Sequence, residues 1–252
     1  MPNSPILEVC CGSLQSAVNA VAGGAERIEL CSALEVDGLT PPVELLRELR
    51  QRFPLLKIHV LIRPREGDFV YTETEVAQME REIHEAMAAG ATAIVSGALT
   101  AEGEVDVPAT KRLVEAAEGL PFTFHRAFDV VKDHVAALET LKALGVQRVL
   151  TSGGAATAEE GIAVLRQLVT QAGDSLTILP GGGVNRRNAR RIIKETGATE
   201  IHGSCSEVLP DGSRLTNADE VAAVLEAIAV GLLSTFVRRV RWCNLVARRR
   251  RG

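Results

Sequence analysis

Residues 135–154 read VAALETLKALGVQRVLTSGG, and three signals inside them decide the fold. Val135–Leu141 carries its apolar side chains at helical spacing, which predicts a helix. Gly145 followed by Val146 closes that helix, because glycine takes the left-handed C-terminal cap without strain. Arg148–Ser152 is a short apolar run with a β-branched centre, which predicts a strand, and Gly153-Gly154 turns the chain out of it. Helix, glycine, strand and glycine turn together make one αβ repeat.

The same unit recurs in both directions. Strand-like runs lie at Ile6–Cys11, Arg27–Cys31, Lys57–Arg63, Ala93–Leu99, Phe122–Ala127, Leu176–Leu179 and Glu200–Ser204. Helical patterns such as Val43–Leu49 separate them, and Gly24-Ala25, Gly90-Ala91 and Gly197-Ala198 mark helix ends. Asn217 with Glu220 three positions later signals the start of a last helix. Strands that alternate with helices pair in parallel through right-handed crossovers. Eight units match a single (β/α)8 TIM barrel, a fold of class α/β that typically takes about 250 residues. An open doubly wound sheet is the competitor, but its glycine fingerprint is missing from the first turn, which reads Cys10-Cys11-Gly12-Ser13-Leu14. One domain over residues 1–236 is therefore expected, followed by a basic C-terminal tail over 237–252.

Composition sets the broad class. The chain has 252 residues, of which 46% are hydrophobic and 24% charged, as in ordinary soluble proteins. No apolar run approaches the roughly 20 residues of a membrane span, and Met1–Pro5 lacks the marks of a signal peptide. Five cysteines, an odd number with two adjacent, read as reduced thiols rather than a disulfide framework. A cytoplasmic location is expected. Residues 237–252 hold seven arginines and no acid, so the formal net charge of −4 leaves −11 on residues 1–236. An acidic body argues against nucleic acid as a partner. The tail reads as an electrostatic arm or as a disordered, non-native extension.

Strand alternation assigns faces. Ile6, Glu8 and Cys10 share one face of the first strand, and Arg27, Glu29 and Cys31 share one face of the second. Leu7, Val9, Ile28 and Leu30 on the opposite faces suit packing under helices. Lys57, His59 and Arg63, and Glu200, His202 and Ser204, then also point into the lumen. Barrel interiors are usually filled by Val, Ile and Leu, and buried charges are costly unless paired. Two readings follow: a neutralised network that only specifies the fold, or a functional site.

Barrel sites lie at the C-terminal ends of the strands. Glu8, Glu29, His125 and Asp129 are the candidate catalytic acid–base groups. Arg63 and Arg126 are candidate anion clamps, since the guanidinium fork matches phosphate and carboxylate. Ser152 and Gly153 after the sixth strand, with Gly182, Gly183 and Asn185 after the seventh, form turns that expose N–H groups to an anion. The bland reading is that these glycines only make tight turns. Cys10 and Cys31 on neighbouring strands are a candidate pair for soft Cu(I), which accepts two thiolates where zinc wants four ligands. Their bland reading is small buried hydrophobes.

A series of motifs now falls into one order. Leu7-Glu8-Val9-Cys10, Gly24-Ala25-Glu26-Arg27-Ile28-Glu29-Leu30-Cys31 and Gly38-Leu39-Thr40-Pro41 come first. Ile62-Arg63-Pro64-Arg65 with Gly67-Asp68-Phe69, and Thr123-Phe124-His125-Arg126-Ala127-Phe128-Asp129, follow. Leu150-Thr151-Ser152-Gly153, Leu179-Pro180-Gly181-Gly182-Gly183-Val184-Asn185 and Ile201-His202-Gly203-Ser204 complete it. From about residue 6 to residue 206 the chain resembles CutC, the copper homeostasis protein family. The resemblance implies a (β/α)8 barrel, a cytoplasmic homo-oligomer and copper tolerance, with Cu(I) binding proposed at cysteines that map onto Cys10 and Cys31. It departs from the family at Asp37, where a glycine is usual, at Pro42, where a serine is common, and in the extra thiols Cys11 and Cys205.

Two functions are thus carried forward. One is Cu(I) binding at the barrel mouth. The other is an unassigned enzymatic reaction on a small anionic or phosphorylated metabolite. Arg27 is expected to be structural, so that Arg27→Met lowers the melting temperature. Arg63→Met is expected to cost little stability and to abolish anion binding.

Overall fold

The computed structural model describes residues 4–210 and 212–229. The expected domain boundary at residue 236, the basic tail and Cys243 lie outside the described residues.

Eight parallel strands form the barrel: β1 (Ile6–Cys11), β2 (Arg27–Leu30), β3 (Lys57–Leu61), β4 (Ala93–Ser96), β5 (Phe122–Phe124), β6 (Arg148–Thr151), β7 (Thr177–Pro180) and β8 (Glu200–Gly203). Around them run α1 (Leu14–Ala22), α2 (Val43–Arg52), α3 (Glu73–Ala88), α4 (Val107–Ala116), α5 (His134–Ala143), α6 (Ile162–Ala172), α7 (Ala189–Thr196) and α8 (218–229). From β1 to β7 each strand hydrogen-bonds to its sequence neighbour, β8 pairs with β1, and β7 packs beside β8 to bring the sheet almost full circle. A two-stranded hairpin, β9 (Ser206–Val208) and β10 (Arg214–Thr216), follows β8 at the mouth. No helix among the described residues is long and apolar enough to cross a membrane.

Local chemistry explains the element ends. Gly197 closes α7 at φ 78° with its N–H donated to the Ile193 carbonyl, the left-handed cap read from the sequence. Thr72 and Glu75 form a reciprocal capping box at the start of α3. The Asn217 side chain accepts from the Asp219 and Glu220 N–H groups at the start of α8, as its sequence position predicts.

The core has two layers. Leu7, Val9, Ile28, Leu30, Ile58 and Val60 are buried between the strands and the helices. Inside the barrel, Cys31, Leu61 and Val95 form a separate small cluster, with Cys10 and Leu34 packed against it. Alternation thus sorts the two faces of β1 and β2 as expected.

Several sequence expectations need correction. β3 ends at Leu61 and β5 at Phe124, so Arg63 and the residues from His125 onward lie in loops, where strand alternation no longer aims them. Ile6 and Lys57 occupy strand beginnings at the open lower rim and are exposed rather than lumenal. A further turn separates the glycines after β7 from α7. Residues 185–188 make a turn in which the Asn188 side chain accepts from the Asn185 N–H, and α7 begins only at Ala189.

Candidate functional site at the barrel mouth

The register of the strands stacks the lumenal charges. Glu8 lies beside Arg27 on β2 and His202 on β8, and Cys10 lies beside Glu29. Arg27, 2% exposed, meets Glu8 Oε2 at 3.0 Å through Nε and Glu200 Oε2 at 2.7 Å through Nη2. His59 Nδ1 is 2.7 Å from Glu8 Oε2, and His202 Nδ1 is 3.0 Å from Glu8 Oε1. Arg148 on β6 reaches Glu200 Oε2 at 3.0 Å and completes the lower end. Burial alone would push the Glu8 carboxyl up, but His59, His202 and Arg27 hold it well below the usual carboxylate range. Arg27 and Arg148 likewise hold Glu200 down against its burial. These groups neutralise one another in the barrel interior, and His202 carries the network up to the cleft wall.

Above them the lumen opens into a cleft of about 620 Å³ at the C-terminal ends of the strands. Cys10, Glu29, His125, Arg126, Gly182, Gly183, His202 and Arg214 are among its walls. Cys10 Sγ lies 3.5 Å from Cys31 Sγ and 3.7 Å from Glu29 Oε1. The ligand atoms of Cys10, Glu29 and Cys31 fall close enough together to hold one metal ion, as do those of Glu8, Glu29 and His202. The Cys31 thiol and burial push the Cys10 thiol well above its ordinary value, so it is neutral at pH 7. Burial raises the Glu29 carboxyl to about 7, with Glu8 adding to the rise and His202 opposing it. Burial disfavours the His202 imidazolium, yet Glu29, Cys10 and Glu8 together raise its pKa well above the usual histidine value. A cationic imidazole thus stands next to two thiols and a carboxyl poised near neutrality.

The sequence model of the CutC family matches residues 5–207. A copper homeostasis protein cutC homolog of Homo sapiens is 42% identical over 247 residues, covering 98% of this chain and 90% of its own length. The chain belongs to the CutC family. The crystal structure of the putative copper homeostasis protein CutC from Streptococcus agalactiae is similar, with a TM-score of 0.76, 34% identity, and coverage of 79% of this chain and 98% of that one. Thiamine phosphate pyrophosphorylase from Pyrococcus furiosus, 16% identical with a TM-score of 0.60 over 92% of this chain and 98% of its own, shares the fold alone.

Within this CutC-family barrel the sequence candidates divide by where they lie. Cys10, Cys31, Glu29, His125, Arg126, Gly182 and Gly183 do converge on the mouth or its floor. Glu8 is fully buried in the network beneath and is not among the cleft walls. Asp129 lines the cleft, Ser152 is buried and not among its walls, and both are occupied. Asp129 Oδ1 accepts from the Thr151 hydroxyl at 2.5 Å and from the Ser152 and Gly154 N–H groups, and Oδ2 pairs with Arg126 at 2.7 Å. Ser152 Oγ donates to the Ala155 carbonyl and the Gly153 N–H donates to Thr151 Oγ1, so this turn has no donors left for an anion. Asn185 faces a separate surface cleft beside Arg186 and Glu220.

Arg63 is the main surprise. It is 5% exposed, and its guanidinium donates to the carbonyls of Val36 and Gly38 through Nη1 and of Gly67 through Nη2. Its charge also lies over the Phe69 ring, 5.1 Å from the centroid. Arg63 is therefore a strut under the loops after β2 and β3, with three of its donors on backbone carbonyls, while its buried Nε has no hydrogen-bond partner and the residue still lines the cleft. The residues that sequence reasoning missed are Arg148 and Arg214. Arg148 begins its strand with the same alternation as Arg27 and was legible in principle. Arg214 sits in a hairpin that no strand–helix repeat announces.

Proposed function

We propose that this chain serves copper homeostasis by binding Cu(I) as cargo through the thiolates of Cys10 and Cys31 at the barrel mouth. The single observation that carries the reading is the 3.5 Å approach of the two sulfurs, Cys10 on β1 at the wall of a solvent-connected cleft and Cys31 buried beside it just after β2. Soft thiolates select Cu(I), and two of them suffice for it. Glu29 lies beside the pair as an additional oxygen donor. The positive charge of His202 offsets the negative charge that two thiolates bring into a buried place. Because Cys10 is held protonated, copper must displace protons, so affinity falls as pH falls. We assign the protein to the cytoplasm, where thiols stay reduced, and to homo-oligomers, which light scattering of the purified chain checks.

Anaerobic titration with Cu(I) against a chromophoric competing chelator tests the reading. One tightly bound ion per chain is expected, with the tight site lost in the Cys10→Ser, Cys31→Ser double variant. Cys11 and Cys205 lie outside the cleft, so Cys11→Ser and Cys205→Ser should retain it. Unchanged affinity in the double variant would contradict the assignment.

A further inference from the structure

The wall of the cleft opposite the β2 loop is built from three sources that have no part in holding copper. Gly182 and Gly183, at φ 102° and 70°, form the turn after β7. Neither of their N–H groups donates to a protein acceptor among the described residues. Arg126, from the loop after β5, lies against this turn. A Cβ placed on Gly182 would stand in ordinary contact with the guanidinium, 3.6 Å from Cζ and Nη2, so the arginine packs directly on this turn, and the φ of 102° is what calls for glycine. Nε of Arg126 is anchored on Asp129 at 2.7 Å and Nη2 points to Ser152 Oγ at 3.4 Å. Those contacts fix the plane of the fork and leave Nη1 without an acceptor among the described residues. Arg214, from the hairpin after β8, borders the same cleft and makes no ion pair among the described residues.

Two unpaired backbone N–H groups and two cationic forks, from the loops after β5, β7 and β8 around one cleft, are complementary to a tetrahedral dianion. In barrels of this class, phosphate is commonly held by the loops after the seventh and eighth strands. The space is also sufficient, since ligand pockets for small molecules run from roughly 300 to 1,000 Å³. On the floor of the same cleft, His125 Nε2 and Glu29 Oε2 are buried with no hydrogen-bond partner. An unpaired buried polar atom is costly, and ligand hydroxyls can accept from Nε2 of His125, whose Nδ1 already accepts from the Ala127 N–H, and donate to Glu29 Oε2.

We infer that the cleft binds a small phosphorylated metabolite, with its phosphate on Arg126, Arg214 and the Gly182–Gly183 N–H groups and its polar carbon skeleton directed at His125 and Glu29. This inference does not rest on copper binding, because its anchoring residues are different. The ligand's far end would nevertheless sit beside the Cys10–Cys31 pair, so phosphate binding and copper binding would report on one another.

Inorganic phosphate and glycerol 3-phosphate, titrated separately into the full chain by calorimetry at constant ionic strength, test it. Saturable binding is expected for both, tighter for the ester, with sulfate competing and chloride not. Arg126→Met and Arg214→Met should each weaken binding by about tenfold or more, the scale of one charge-assisted hydrogen bond. Arg214 is exposed on its hairpin, so its variant keeps the fold and remains informative if Arg126→Met does not. Equal binding of ester and inorganic phosphate would place only the phosphate cradle and overturn the assignment of the skeleton to His125 and Glu29. Absence of saturable binding for both probes, or identical affinity in parent and both arginine variants, would overturn the proposal.

Discussion

Arg27 and Arg63 show how one residue type takes roles that sequence assigns only in part. Arg27 lies at the bottom of the lumen between Glu8 and Glu200, and removing it would leave two buried carboxylates facing each other. Loss of one partner from a buried ion pair typically costs about 3–5 kcal/mol. Arg27→Met should therefore unfold at markedly lower temperature or urea concentration, and a parent-like melting curve would contradict the pairing. For Arg63 the stability expectation reverses. Its substitution strips donors from three backbone carbonyls, so Arg63→Met should also be destabilised, by about 1–3 kcal/mol for the groups left unpaired. Urea unfolding of the two variants side by side checks both. Strand alternation made Arg27 legible because β2 spans it. Arg63 lies two residues beyond the end of β3, where periodicity carries no information and only the loop carbonyls decide its direction.

At the scale of elements, the loop after β2 is the least regular part of the mouth. Ala33 and Asp37 bracket a 3₁₀ turn over Leu34–Val36, with φ of 49° and 64°, in a region that non-glycine residues rarely enter. At Asp37 a short polar side chain tolerates that conformation. Alanine has no such compensation. Ala33→Gly should therefore raise stability by about 1 kcal/mol, the cost of the left-handed conformation less the extra freedom glycine gives the unfolded chain. A decrease in the denaturation midpoint would show that the strain lies elsewhere. The eight strand–helix repeats were legible because glycine caps punctuate them, as Gly145 does after α5. The hairpin β9–β10 and the β2 loop were not, because their geometry depends on long-range partners such as Arg63 rather than on local propensity.

For the molecule as a whole, buried titratable groups couple the fold to pH. Burial, with the Arg63 charge, lowers the pKa of His125 to about 3, so the folded protein keeps this ring neutral where the unfolded chain would protonate it. Its contribution to stability is complete above about pH 6.5 and is lost progressively as pH falls toward 3. His202 and Glu29, whose pKa values are raised, act in the opposite sense, so the parent alone does not isolate the effect. A His125→Phe comparison does. Between pH 6.5 and 4.5 the parent should lose stability relative to that variant by up to about 1.4 kcal/mol per pH unit, and parallel urea curves across the window would contradict it. The lumen pairing and the Cys10–Cys31 pair were legible from alternation along β1 and β2. The division of the mouth into a thiol floor and a glycine–arginine wall was not, because it depends on which donors the turns consume internally.

Copper K-edge X-ray absorption of the anaerobically loaded, one-equivalent Cu(I) protein reads the ligands of the metal directly. Two sulfur scatterers in a low-coordinate environment are expected for the parent chain. The signal should be lost or replaced by nitrogen and oxygen scatterers in the Cys10→Ser, Cys31→Ser variant. A parent spectrum without sulfur, or one that the double substitution leaves unchanged, would contradict copper binding by this pair.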